Sequence, residues 1–256
     1  MSDGGGWTKG FVDEPRQSGV FLDFDGTISD IAPIPGEARL NPRAADLLPR
    51  LSHRYPLCVM SGGKAKRLAE LVGLPRIHYV GVNGMEWLEG NTRTEPEVLP
   101  HLPALDRVRE EIVPALESLP GIDMEDKLVT LALHYRSVPE LEEQVLDLAQ
   151  RVSEPLRMEV KRGRKVAEIV PPVVVDKGTV LVRLARGWRL RRALYAGDDL
   201  SDVAGFRGLR YLMKEGLFEG VAIAVLSPET PIELEAVADL TVHGVDGLIN
   251  LLQTLL

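Results

Sequence analysis

The chain has 256 residues, of which 45% are hydrophobic and 27% charged, a balance that excludes a fibrous or disordered protein. Its 38 acidic and 30 basic residues leave a formal charge of −8, so the overall field repels nucleic-acid phosphates and anionic membranes, and neither is expected as a partner. Aromatic residues make up only 5%, too few for a platform that stacks single-stranded bases.

Residues 1–18, with Gly4, Gly5 and Gly6 and no periodicity, read as a flexible leader. No secretory signal and no membrane-length apolar run is recognisable, and the single cysteine, Cys58, sits in an apolar run; a cytoplasmic protein with a buried, inert thiol is expected. Val20 to Phe24 reads as a buried strand that runs into the Asp25-Gly26 turn. Asn41-Pro42 opens a helix, Leu57 to Met60 is a second strand, Lys64 to Val72 a helix and Ile77 to Val82 a third strand. This alternation predicts a parallel sheet covered by helices, and it resumes late in the chain. There a helix spans 180–186, a strand 193–196, a helix follows Ser201, a strand spans 221–225, a helix 231–238, a short strand 241–242 and a last helix 247–255. Between the two blocks the pattern is a helix (105–119), a strand (128–135), a helix (139–152) and strands at 157–160 and 165–170. The expected domains are therefore a core of 19–102 and 169–256, with an α+β unit inserted at 103–168.

Four sites carry chemistry. Asp23 and Asp25 flank Phe24 where the first strand ends, and ligands of open parallel sheets bind beyond the strands' carboxyl ends. Carboxylates there serve as nucleophile, as proton donor and acceptor, or as oxygen ligands of Mg²⁺. Ser61-Gly62-Gly63 follows the second strand, and a hydroxyl with backbone N–H groups in a Gly turn suits an anion. Lys177, opening a helix, is a compact cation for a phosphoryl oxygen. Asp198, Asp199 and Asp202 crowd another strand end, which favours a metal ion among them, although Asp199 or Ser201 also suits capping of the next helix. Nucleophile, acid/base, charge clamp and metal are the parts that phosphoryl transfer needs. No His spacing of a zinc site occurs, and His134, on an alternating strand, fits a satisfied structural residue.

The order of these motifs resembles the haloacid-dehalogenase superfamily. The segments Asp23 to Thr27, Gly81 to Glu86, Leu133 to Arg136, Glu168 to Pro172 with Asp176-Lys177-Gly178, and Gly197 to Asp202 resemble, more narrowly, the trehalose-6-phosphate phosphatase family. The resemblance runs from about residue 19 to the end of the chain. It implies a Rossmann-like α/β core with an inserted α+β cap, and Mg²⁺-dependent hydrolysis of trehalose 6-phosphate, a phosphoric monoester. Asp23 is then the phosphate-accepting nucleophile and Asp25 the general acid/base. Mg²⁺ is held by Asp23, the backbone of Asp25, and Asp198, with Asp199 and Asp202 behind it. Ser61, Gly62 and Lys177 hold the phosphoryl group, while Asn83, Glu86, Lys165 and Glu168 are the implied sugar contacts. A functional link to a trehalose-phosphate synthase is also implied.

The chain departs from the family pattern in places: Asn83 stands where His is usual, Gly63 and Val170 where Arg is common, and Val203 where an acid is common. These positions bear on sugar identity, so sucrose phosphate, a glycosyl-glycerate phosphate or a hexose phosphate are alternative substrates. A phosphomutase or a non-catalytic phosphosugar-binding protein on the same fold are the alternatives outside hydrolysis. Arg157, Lys161, Arg162, Arg164 and Lys165 form a basic cluster in the inserted unit, of which Arg162 and Arg164 read as a solvated hairpin.

Overall fold

The computed structural model describes residues 6–30, 38–163, 165–216 and 218–256; leader residues 1–5 and Arg164 lie outside them. In chain order the elements are α1 (Gly6–Asp13), β1 (Ser18–Asp23), α2 (Pro42–Arg54), β2 (Leu57–Met60), α3 (Ala65–Val72), β3 (His78–Gly81), β4 (Glu86–Glu89) and β5 (Asn91–Thr94). Next come α4 (Leu102–Leu116), β6 (Asp123–Asp126), β7 (Leu131–His134), α5 (Glu142–Ser153), β8 (Glu159–Gly163) and β9 (Val166–Val170). The chain closes with α6 (Lys177–Gly187), β10 (Arg192–Gly197), α7 (Asp202–Lys214), β11 (Glu219–Leu226), α8 (Ile232–Glu235), β12 (Leu240–His243) and α9 (Gly244–Gln253). Two compact units result, one of 1–93 with 175–256 and one of 94–174.

The first unit is built on an eight-stranded sheet ordered β12-β11-β10-β1-β2-β3-β4-β5. The six strands from β12 to β3 run parallel, and β4 turns back antiparallel to β3. The central strands are apolar on both faces, as helix-covered parallel strands must be. Val20, Leu22, Val59 and Leu194 pack with Leu47, Leu51, Leu248 and Ile249 on one side. Phe21, Cys58, Ala193 and Tyr195 pack with Leu181, Leu184, Phe206 and Leu209 on the other. Each of the six parallel strands delivers its last residue to the same edge of the sheet.

Two local expectations are corrected. Residues 6–13, read as leader, form α1, because Phe11 is buried against the sheet core and Arg192 Nη1 donates to Gly10 O at 2.7 Å. Strands β4, β5 and β6 escaped the sequence reading; they are four residues each, and the exposed Asn91–Thr94 carries no apolar alternation.

The second unit holds a four-stranded antiparallel sheet, ordered β6-β7-β9-β8. Leu131, Leu133, Ala167 and Ile169 pack against Leu105, Val108 and Ile112 of α4 and Val145 and Ala149 of α5. Since side chains alternate along a strand, Thr130, Ala132, His134 and Glu168 face away from those helices. Glu125, Ala132, Glu168 and Lys161 are aligned across the four strands.

Candidate active site

The chemistry-bearing residues of the first unit lie where the parallel strands end. Asp23 is the last residue of β1, Ser61 follows β2, Asn83 follows β3 and Asp198 follows β10. After Asp23 the chain folds over Phe24, whose carbonyl accepts from the amides of Thr27, Ile28 and Ser29 while its buried ring anchors the turn in the core. Gly26 has φ +77°, and an added Cβ would stand 2.2 Å from Asp198 Oδ2. The absence of that atom is what lets the Asp198 carboxylate lie against the turn.

Lys177 is the first residue of α6. Asp176 caps the helix by accepting from Thr179 N at 2.8 Å, and Thr179 Oγ1 accepts from Asp176 N in return. An added Cβ on Gly178 would stand 2.1 Å from the Ala204 carbonyl, so glycine brings α6 and α7 into close contact. That packing seats the lysine between two acids: Nζ donates to Asp23 Oδ1 at 2.6 Å and to Asp202 Oδ1 at 2.7 Å, and all three side chains are buried. Asp202 also accepts from Tyr195 OH at 2.7 Å and, through Oδ2, from the amides of Asp198 at 3.1 Å and Asp199 at 3.0 Å. Asp199 Oδ1 accepts from Leu200 N at 2.6 Å, and Ser201 makes no side-chain cap.

Asp23, Asp198 and Asp202 each bring a carboxylate oxygen within 4.8 Å of the others. Burial pushes the Asp23 carboxyl well above the usual carboxylate range, and Asp202, Asp198 and Asp25 push the same way against Lys177. Burial also favours the neutral amine of Lys177, but Asp202 and Asp23 outweigh it and hold the ammonium charged. Three buried carboxylates around one ammonium leave an excess of negative charge that a divalent cation would neutralise, so the donor set fits a hard metal ion.

Asp25 differs from Asp23: it is exposed, its carboxylate lies outside that cluster, and it accepts from Ser61 Oγ at 3.2 Å. Ser61 Oγ in turn accepts from Gly63 N at 3.0 Å, which closes the Ser61-Gly62-Gly63 turn. The loop after β3 braces this turn, with Val82 N donating to Gly63 O at 2.8 Å and Asn83 N to Ser61 O at 3.1 Å. Val82 and Asn83 both take left-handed backbone, at φ 46° and 52°. For a β-branched valine that conformation is an outlier, held by the bonds around it. The Asn83 amide lies over Gly62, and its Oδ1 is buried with no hydrogen-bond partner among the described residues. Glu86 accepts from Ala65 N at 3.1 Å and so ties β4 to the start of α3. Cys58 is buried and burial pushes its thiol up, which makes it an inert core residue.

In the second unit, Glu168 Oε1 accepts from Lys127 Nζ at 3.1 Å and from Thr130 Oγ1 at 2.8 Å. Lys165 Nζ stands 3.7 Å from Glu142 and 6.0 Å from the centre of the Tyr135 ring. His134 Nε2 is 3.3 Å from Glu125 Oε2, so the histidine is partnered within its own sheet. Arg157, Lys161 and Arg162 are exposed, as a solvated hairpin requires. The sequence reading passed over Tyr195 and Lys127. Tyr195 stands two residues before the Gly197-Asp198 turn on a buried strand, and Lys127 directly follows Glu125-Asp126; neither signal is distinguishable from ordinary packing until the partners are known.

The family model described as trehalose-phosphatase matches residues 21–230. A trehalose-phosphate phosphatase of Mycobacterium bovis is 34% identical over 199 residues, covering 75% of this chain and 51% of the relative. One from Mycobacterium avium is 32% identical over 222 residues, covering 82% of this chain and 55% of its own length. The chain thus spans about half the length of the curated relatives it matches. The solved C-terminal domain of the C. albicans trehalose-6-phosphate phosphatase superposes with a TM-score of 0.79 at 18% identity, covering 97% of this chain and 96% of that one, and so shares the fold. With its motifs at the strand ends and four-fifths of its length under one family model, the chain belongs to the trehalose-phosphatase family.

Proposed function

We propose that this chain hydrolyses the phosphate monoester of a sugar, with trehalose 6-phosphate as the substrate, through a phospho-aspartate formed on Asp23. The observation that carries the reading is the seat of Asp23, a buried carboxylate at a strand end, held by Lys177 beside Asp198. Mg²⁺ is the proposed metal, held by Asp23, the Asp25 carbonyl and Asp198, and it would supply positive charge to offset that of the phosphoryl oxygens. The residues divide the rest of the work. The Asp23 carboxylate attacks phosphorus, and the bond from phosphorus to the sugar oxygen breaks. Asp25, exposed and oriented by Ser61, gives the leaving oxygen a proton. It then takes a proton from the water that attacks the phospho-aspartate, which frees phosphate and restores Asp23. Lys177 and Ser61, with the amide of Gly62, hold the phosphoryl oxygens. Asn83, Glu86, Lys165 and Glu168 contribute to sugar recognition.

Release of inorganic phosphate from a panel of phosphosugars, with Mg²⁺ and with chelator, tests the reading. Trehalose 6-phosphate is expected to turn over fastest and Asp23→Asn to abolish turnover. Full activity in Asp23→Asn sinks the nucleophile. Equal rates on trehalose 6-phosphate, sucrose phosphate and glucose 6-phosphate sink the substrate. Phosphate passed back to sugar instead of water indicates a mutase.

A further inference from the structure

Asp202 is buried among donors. Its Oδ1 accepts from Lys177 Nζ and Tyr195 OH, both at 2.7 Å, and its Oδ2 accepts from the amides of Asp198 at 3.1 Å and Asp199 at 3.0 Å. Two carboxylate oxygens offer about four lone-pair directions, so these four bonds account for all of them. The two oxygens also have separate tasks. Oδ2 holds the loop that carries Asp198, and Oδ1 shares its charge between a lysine and a tyrosine.

The Tyr195 ring is fixed independently of this bond. It is fully buried on β10, and Phe206 meets it edge-on with ring centres 5.9 Å apart. Its hydroxyl is therefore aimed by packing, at no cost to the acid it serves. A hydrogen bond to a buried carboxylate drains negative charge from the oxygen that accepts it. Without that bond, Oδ1 would act on Lys177 alone and draw the ammonium away from Asp23, 2.6 Å on its other side.

We infer that Tyr195 is a positioning residue: by donating to Oδ1 of Asp202 it keeps Lys177 shared with Asp23 and available to a phosphoryl group. This rests on the phosphatase reading, through the role given there to Lys177. It also assigns Asp202 to aligning Lys177 and the Asp198 loop, and leaves direct metal ligation to Asp23 and Asp198.

The test compares Tyr195→Phe with the parent in three measurements: calorimetric binding of inorganic phosphate with Mg²⁺ present, calorimetric binding of Mg²⁺ alone, and kcat on the best phosphosugar. Phe keeps the ring packing and removes only the hydroxyl. Phosphate affinity and kcat are expected to fall about tenfold, the low end for a lost hydrogen bond to a charged group, while Mg²⁺ affinity stays within about twofold because Oδ2 is untouched. Unchanged phosphate affinity overturns the inference, and so does a Mg²⁺ affinity that falls by the same factor, since the phenol would then support the whole loop. As a second variant, 4-aminophenylalanine at position 195 keeps the ring and offers a neutral N–H donor to Oδ1; it should hold phosphate affinity within about threefold of the parent, and a loss of about tenfold or more overturns the inference even if Tyr195→Phe does not fold. A parent protein that binds no phosphate with Mg²⁺ sinks the phosphatase reading as well, whereas equal binding by parent and Tyr195→Phe sinks this inference alone.

Discussion

The two units use the same residue types in opposite ways. At the strand ends of the first, Asp23, Lys177 and Asp202 are buried, with Lys177 between the two acids at 2.6 and 2.7 Å. On the sheet of the second, the side chains of Glu125, His134 and Glu168 keep 40%, 20% and 15% exposure, and only Lys127 of that set is buried. A fully buried ion pair is held by the cost of leaving either partner alone, whereas a pair whose acid keeps some exposure is partly screened and loses less when that partner changes. The first arrangement suits a fixed reacting group, and the second suits recognition.

The largest effect that separates them is expected from Asp23→Asn, which should lower kcat on the order of 10⁵-fold in a phosphate-release assay while the circular dichroism spectrum stays that of the parent. Lys177→Ala leaves Asp23 and Asp202 uncompensated, so denaturant unfolding should show a loss of about 3–5 kcal/mol; a loss under about 1 kcal/mol would place the pair with the screened ones. Saturating Mg²⁺ should stabilise the parent by about 3 kcal/mol at a hundredfold excess over Kd, read as a raised Tm, and Asp198→Asn should abolish the rise. The smallest effect belongs to the second unit. Glu168→Gln should cost about 1–2 kcal/mol, because buried Lys127 keeps only Glu125 at 3.9 Å while the amide still accepts from Thr130. It should raise KM several-fold with kcat within about twofold, and a changed kcat at constant KM would move Glu168 from recognition to chemistry.

Much of the first unit was legible because its signals are local. An apolar run that ends in Asp-x-Asp-Gly announces a strand with acids at its end, and Asp176-Lys177-Gly178 announces the helix that Lys177 opens. The second unit was legible only in outline. Leu128 to Tyr135 suggested one long strand, but Leu128 turns left-handed at φ 72° between β6 and β7, and the strand proper is Leu131–His134. Helix α1 could not be read at all, since Phe11 and Gly10 are anchored by residues far along the chain.

Spacing and residue type alone determined the parallel α/β order and the positions of the acids and lysine beyond strand ends and helix starts, because each depends on neighbours a few residues apart, and the motifs so placed carried the resemblance to a phosphatase family. Tertiary structure decided what each acid does. Asp23 and Lys177 are 154 positions apart and Lys177 and Asp202 are 25 apart, so their bonds exist only once the sheet and the α6–α7 contact have formed. Burial then shut one aspartate away beside Lys177, left Asp25 exposed beside Ser61, and gave Asp202 to Tyr195 and Lys177. Solvent exclusion and long-range packing set those differences, and neither is written in the order of the residues.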